Sequence, residues 1–154
     1  MALPYRYGRQ ADTALDMWVK LARAFSVFSH RSEDQIRTFG LTQAQFSALE
    51  CLGHKGSLTL GELCRKQLVS GGNMTVVVDN LEREQLVERV RSKDDRRSIV
   101  VRLTPKGKGL FKRIFTLHAR YIADLASVLT QDEQASLAAL LKKLGTALAM
   151  QPRA

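Results

Sequence analysis

Apolar residues along this chain recur first at helical spacing and later at strand spacing, and that change organises the reading. Ala11, Ala14, Leu15, Trp18, Ala22, Phe25 and Phe28 return every three or four residues. They share one face of a helix expected from about Gln10 and ending before Gly40. A second helix is predicted from Thr42 to about His54, turning Phe46, Leu49 and Leu52 inward, with Gly53 and Gly56 closing it. A short third helix runs from Thr59 to about Gln67 and buries Leu60, Leu63 and Cys64. Leu68-Val69-Ser70-Gly71-Gly72 reads as a turn. A fourth helix, roughly Gly72 to Gln85, carries Met74, Val77, Val78 and Leu81 on its inner side. The period then drops to two. Leu86–Arg91 alternates and Ser98–Leu103 is rich in β-branched residues, so the pair predicts a hairpin with Ser92-Lys93-Asp94-Asp95-Arg96-Arg97 as its polar tip. A long helix from Pro105 to about Val128 and a last one from about Gln131 to Met150 complete the chain.

Local chemistry fixes four of these helix starts. Thr42, Thr59 and Thr130 each precede a Gln or Glu by three residues (Gln45, Glu62, Glu133), the capping-box spacing in which hydroxyl and N3 side chain satisfy each other's backbone amides. Thr104-Pro105 places a cap before a proline at the first helical position, where no amide is needed. The stripe Leu110, Ile114, Leu117, Tyr121, Leu125, Val128 lies on a helix of roughly 36 Å at ~1.5 Å per residue, longer than one small core can cover.

Composition narrows the function. With 154 residues and 45% hydrophobic content the chain can fold as one domain. No apolar run approaches the roughly 18 residues of a membrane span, so no membrane partner is expected. No apolar stretch follows Arg6 and Arg9, so no signal peptide is expected either. The two cysteines, Cys51 and Cys64, have no metal-ligand spacing; a reducing cytoplasm fits them, and neither a metal site nor a disulfide framework is expected. The net charge is +9, from 24 Lys and Arg against 15 Asp and Glu. It is uneven: residues 91–113 hold nine basic residues against Asp94 and Asp95 alone. Such a balance points to a polyanion, with nucleic acid the common one. No nucleophile–base set, metal cluster or phosphate loop is present in the sequence, and an enzyme or a cofactor is not expected.

Two short helices joined by a glycine-containing turn and followed by a hairpin predict a winged helix-turn-helix, in a chain that is mainly α with a small β-wing. The second helix of the pair enters the major groove. Its first turn offers Ser70, Gly71 and Gly72 for close backbone approach to phosphate. Asn73 and Thr75 are short enough to reach base edges, with Val76 beside them. At the wing tip Arg96 and Arg97 suit the narrow minor groove, and Asp95 is expected to hold a guanidinium by a charge-assisted hydrogen bond. Arg89, Arg91 and Lys93 lean toward phosphate contact. For Lys66 and Arg83 phosphate contact and plain solvation weigh equally.

The segment Leu41–Gly107 resembles the MarR (multiple antibiotic resistance regulator) family of bacterial transcription factors. The likeness is carried by Asp95-Arg96-Arg97 before an apolar strand and Leu103-Thr104-Pro105-Lys106-Gly107, and by Ser70–Thr75 followed by Asp79-Asn80-Leu81-Glu82. It implies a homodimer held by the outer helices (10–39 and 105–150) around a DNA-binding lobe (41–104). It also implies a pseudo-palindromic operator on double-stranded DNA, and repression relieved by a small, often phenolic or aromatic effector. Trp18, Phe25, Phe46, Phe115 and His118 are the candidate ligand residues, with packing the rival role for each. Arg97 is the residue the resemblance aims at the minor groove, with Asp95 steadying it. Two other readings stay open. One is a redox response through Cys51, although the cysteine that peroxide-sensing relatives carry near the start of the first helix is missing. The other is a protein-interaction module in which DNA binding is vestigial.

Overall fold

The structure, a computed structural model, describes residues 7–67 and 71–152. Its elements are α1 (Arg9–Thr38), α2 (Gln43–Lys55), α3 (Leu60–Gln67), α4 (Gly71–Arg83), β1 (Val87–Arg91), β2 (Ile99–Leu103), α5 (Pro105–Ala126) and α6 (Gln131–Met150). The chain is mainly helical with one two-stranded antiparallel sheet. It divides at His118/Ala119 into two compact units.

In the first unit every capping signal is realised. Thr42 Oγ1 accepts the Gln45 amide at 3.2 Å while Gln45 Oε1 accepts the Thr42 amide at 2.9 Å. Thr59 and Glu62 exchange the same pair of bonds at 3.2 and 2.8 Å. The bond donated by the Thr59 amide, and after it one donated by the Thr59 hydroxyl to Glu62 Oε2 at 3.1 Å, pull the Glu62 carboxyl below its ordinary pKa. The core gathers inward residues of every element from the end of α1 to the start of α5. Among the fully buried are Ile36, Leu49, Leu63, Met74, Leu81, Val101 and Ile114. The expected inner faces of α2 and α4 are therefore the ones that are buried, whereas Leu60 and Cys64 of α3 only pack against the edge of this cluster. Gly53 lets the Phe111 ring lie directly on the α2 backbone, where a Cβ would collide with it.

Four boundaries differ from the sequence reading, one of them the start of β2 at Ile99 where Ser98 was expected. The fourth helix stops at Arg83, short of Gln85, because Gln85 takes a left-handed φ of 60°. Its own amide and that of Leu86 then close the helix on Glu82 and Leu81 carbonyls, both at 2.9 Å. Leu86 thus belongs to the turn, and β1 begins at Val87. The long helix ends at Ala126, two residues before Val128, where Ser127 and Leu129 donate to the Asp124 and Ala126 carbonyls.

β1 and β2 pair from Val87↔Leu103 to Arg91↔Ile99. A further pairing had no signal in the pattern: Leu58, just ahead of α3, exchanges both backbone bonds with Val101 at 2.7 and 3.0 Å. The wing is thereby anchored to the segment that launches the helix pair.

In the second unit α6 is capped by Thr130, which trades bonds with Glu133, and Gln134 Nε2 donates to the Ala126 and Leu129 carbonyls. No residue of α6 is buried; Leu137, Leu140, Leu141 and Leu148 are all exposed.

Candidate nucleic-acid interface

The candidate interface is built on α4 and the β1–β2 tip. Along α4 the burial alternates at helical period. Met74, Val77, Val78 and Leu81 are buried, while Asn73, Thr75 and Val76 face outward. Val76 is 58% exposed, an unusual position for a β-branched apolar residue and one suited to a thymine methyl group. Gly71 and Gly72 form the first turn of the helix, so their amides are among those without an intrahelical acceptor. Ser70 lies outside the described residues.

The wing tip is a hydrogen-bonded turn. Ser92 and Ser98 close it through the Ser92 amide and Ser98 carbonyl at 2.8 Å, and Ser92 Oγ accepts the Asp94 and Asp95 amides. Asp95 does not grip a guanidinium, contrary to the sequence expectation. Its Oδ1 accepts the backbone amide of Arg97 at 3.0 Å. The carboxylate shapes the backbone that presents Arg97 and leaves the side chain free to project. Arg91, Lys93, Arg96 and Arg97 are exposed and, among the described residues, join no ion pair.

Arg89 differs from its neighbours. Its Nη2 meets Asp79 Oδ1 at 2.6 Å, its Nη1 pairs with Glu82 Oε2, and its amide donates to Glu82 Oε1 at 3.1 Å. Burial of the guanidinium works against its charge, but the hydrogen bonds it donates to Asp79 and Glu82 outweigh it and raise the pKa. Two carboxylates already neutralise Arg89, so the phosphate role expected for it gives way to a brace between β1 and α4. The sequence reading had no means to see this, because the partners lie seven and ten residues away on another element. Arg102 is likewise paired, with Glu88 across the sheet at 2.7 Å. Arg83 donates to Asn80 Oδ1 at 3.1 Å on its own helix. Lys66 is exposed at the end of α3.

The candidate ligand residues separate into two groups. Phe46 is 3% exposed and belongs to the core, stacked on Phe39 and edge-on to His118 at 4.7 Å. Phe115 packs with Phe111 and His54. His118 Nδ1 meets Gln35 Oε1 at 2.7 Å, and burial lowers its pKa against the opposing pull of Glu50. Trp18 and Phe25, by contrast, are 60% and 70% exposed on α1 and make no ring contact among the described residues. Among the described residues Phe46 and His118 touch one another, while Trp18 and Phe25 join no ring contact with the other three. Cys51 and Cys64 are both free and half-buried. Among the described residues no group of three or more His, Cys, Asp or Glu side chains is placed to hold a metal. Among the described residues no helix is long and apolar enough to cross a membrane.

A helix pair whose second member turns polar residues outward, beside a hairpin tipped with arginines that join no ion pair among the described residues, defines a winged helix-turn-helix of the DNA-binding kind. Comparison with known proteins places it more closely. Residues 41–99 match the MarR family. The chain is 35% identical to the HTH-type transcriptional regulator MhqR of Bacillus subtilis (strain 168), over 87% of this chain and 92% of that protein. It is 28% identical to the HTH-type transcriptional repressor MdtR of the same organism, over 90% of each. The structure superposes on a MarR family protein from Bacillus stearothermophilus with a TM-score of 0.76 at 25% identity, covering 92% of this chain and 99% of that one. For wild-type MarR (apo form) from E. coli the TM-score is 0.67 at 28% identity, over 80% and 96%. The chain belongs to the MarR family and is a DNA-binding transcriptional regulator, not an enzyme; regulators of this family bind DNA and function as dimers.

Proposed function

We propose that this regulator is a homodimeric, cytoplasmic repressor that binds a pseudo-palindromic operator and is released by a small effector molecule. In this reading residues 41–104 form the DNA-binding lobe, and residues 10–39 and 105–150 supply the dimer contacts. The carrying observation is the division among the wing arginines: Arg89 and Arg102 are neutralised by carboxylates, whereas Arg96 and Arg97 stand exposed and outside any described ion pair at the tip. An unpaired guanidinium held out from a shaped turn suits the electronegative minor groove. Asn73, Thr75 and Val76 supply the base-reading face, while Gly71 and Gly72 with Lys66, Arg91 and Lys93 engage phosphates. The exposed apolar residues of α1 and α6, Trp18, Phe25 and Leu140 among them, support the dimer, since a face of that kind marks an association surface.

The test uses duplex DNA from upstream of the regulator's own coding sequence. Parent protein binds it as a dimer on half-sites about 10 bp apart, with affinity falling steeply as salt rises. Arg97→Ala remains dimeric by sedimentation and loses affinity by about tenfold or more, with the salt slope smaller by about one. Unchanged affinity in Arg97→Ala, or binding indifferent to salt, refutes the reading.

A further inference from the structure

The outermost rung that hydrogen bonds tie to the rest of the lobe is the pair Arg89–Val101, which face each other across the sheet. Val101 gives both its amide and its carbonyl to Leu58, the segment ahead of α3. In an antiparallel pair that leaves the Arg89 amide on the outer edge of β1. There it donates to Glu82 Oε1 at 3.1 Å, while the guanidinium meets Asp79 Oδ1 at 2.6 Å and also Glu82 Oε2. One rung is thus held toward α3 on one side and toward α4 on the other. Among the described residues, positions 90–100 make no hydrogen bond or ion pair outside the hairpin.

The outer hairpin is therefore a lever on that rung. From Arg89 to the Ser92–Ser98 closure β1 advances three residues, about 10 Å at ~3.3 Å per residue. A rotation of about 10° at the rung moves the closure by about 2 Å, and Arg97 beyond it by more, against the ~0.5 Å to which a binding constellation must be held. On the helix, Asp79 lies one turn past Thr75 and Val76 on the same exposed side. The clamp joins that side of α4 to the strand that carries the tip. Two nitrogens of one planar fork meet two carboxylates, which fixes direction as well as distance. We propose that Arg89 is the positioning residue of operator recognition: it holds α4 and the wing tip at the angle and spacing that seat both in adjacent grooves, and it makes no DNA contact of its own.

This inference rests on the DNA-contact reading of Arg97 given above. Its test measures operator affinity of the full-length dimer on the upstream duplex, at a temperature where circular dichroism shows each variant folded. Arg89→Leu is expected to bind about tenfold more weakly with the parent's salt slope, whereas loss of a phosphate contact lowers that slope by about one. In the Arg97→Ala background Arg89→Leu costs no more than about twofold further, because the group to be positioned is gone; independent contacts would multiply. A second variant, Asp79→Asn with Glu82→Gln, keeps Arg89 and removes two negative charges from the reading helix. Charge alone then tightens binding, and so does release of Arg89 to a phosphate; opening of the clamp instead weakens it about tenfold. Tighter or unchanged binding by that variant, a lowered salt slope in Arg89→Leu, or losses in Arg89→Leu and Arg97→Ala that multiply overturn the inference. Parent affinity in Arg89→Leu beside a loss in Arg97→Ala removes this inference alone. Parent affinity in Arg97→Ala removes the interface reading and the inference with it.

Discussion

Replacing Arg89 by leucine removes the guanidinium that ties β1 to α4 and leaves a shorter apolar side chain on the strand. The Arg89 side chain is 25% exposed, and those of Asp79 and Glu82 are 49% and 41% exposed. The pairs therefore lie between two limits. Fully exposed ion pairs contribute ~0.2–1 kcal/mol, and hydrogen bonds to buried charged groups contribute ~1.5–3 kcal/mol. About 1 kcal/mol for each carboxylate, or about 2 kcal/mol for Arg89→Leu, follows from that intermediate exposure. Urea unfolding of Arg89→Leu, Asp79→Asn and the double variant closes a thermodynamic cycle. A coupling energy of about 1 kcal/mol is expected, since the two groups touch. The same measurement on Arg97→Ala should stay within about 0.5 kcal/mol of the parent, as befits an exposed side chain without an ion pair. If Arg89→Leu unfolds with the parent, or the Arg89–Asp79 cycle shows no coupling, the brace does not exist and Arg89 returns to the set of phosphate contacts.

Two further outcomes follow from the core and from His118. Gly107→Ala drives a Cβ into the Leu86 carbonyl oxygen; a loss of about 3 kcal/mol is expected, at the upper end of ordinary overpacking, and a parent-like thermal midpoint would contradict the observed approach. His118 has its pKa lowered from 6.5, chiefly by burial. Between that lowered value and 6.5 the unfolded chain binds the extra proton and the folded one does not. Stability contributed by neutral His118 is therefore present above pH 6.5 and declines as the solution is acidified through this window. His118→Gln should flatten that part of the pH profile of unfolding; an unaltered profile would show that the imidazole is not the group responsible.

The helices were legible because their starts are written in short-range chemistry. Thr42, Thr59 and Thr130 each meet a partner three residues on, so spacing alone announces the bond. The inner face of α4 was legible for a similar reason, since period 3.6 sorts Met74, Val77, Val78 and Leu81 together. What escaped depends on pairs distant in sequence. The Arg89 bonds cross from strand to helix, Leu58 meets Val101 across more than forty residues, and no periodicity encodes either. Asp95 was assigned to a guanidinium because opposite charges adjacent in sequence invite pairing, yet the tight turn brings an amide closer. Gln85 looked helical because glutamine ordinarily is, and only the closure of α4 onto Leu81 and Glu82 demands its left-handed backbone. Gln67 carries no sequence signal of its burial, since a polar residue at a helix end is ordinarily solvated.

The corner after α4 is gripped at three successive carbonyls by the opening of α5. Lys106 Nζ donates to Glu84 at 2.7 Å, Thr104 Oγ1 to Gln85 at 2.6 Å, and the Thr104 amide to Leu86 at 3.1 Å, with Gly107 pressed against that last oxygen. The same Thr104 hydroxyl accepts the Gly107 amide at 3.0 Å, so one side chain serves as both helix cap and clasp. A rigid coupling results: rotation of the first turn of α5 must carry the trailing end of α4 with it. Loosening that clasp, with no change to any side chain of the proposed interface, should therefore alter the angle at which α4 meets the duplex in that proposal.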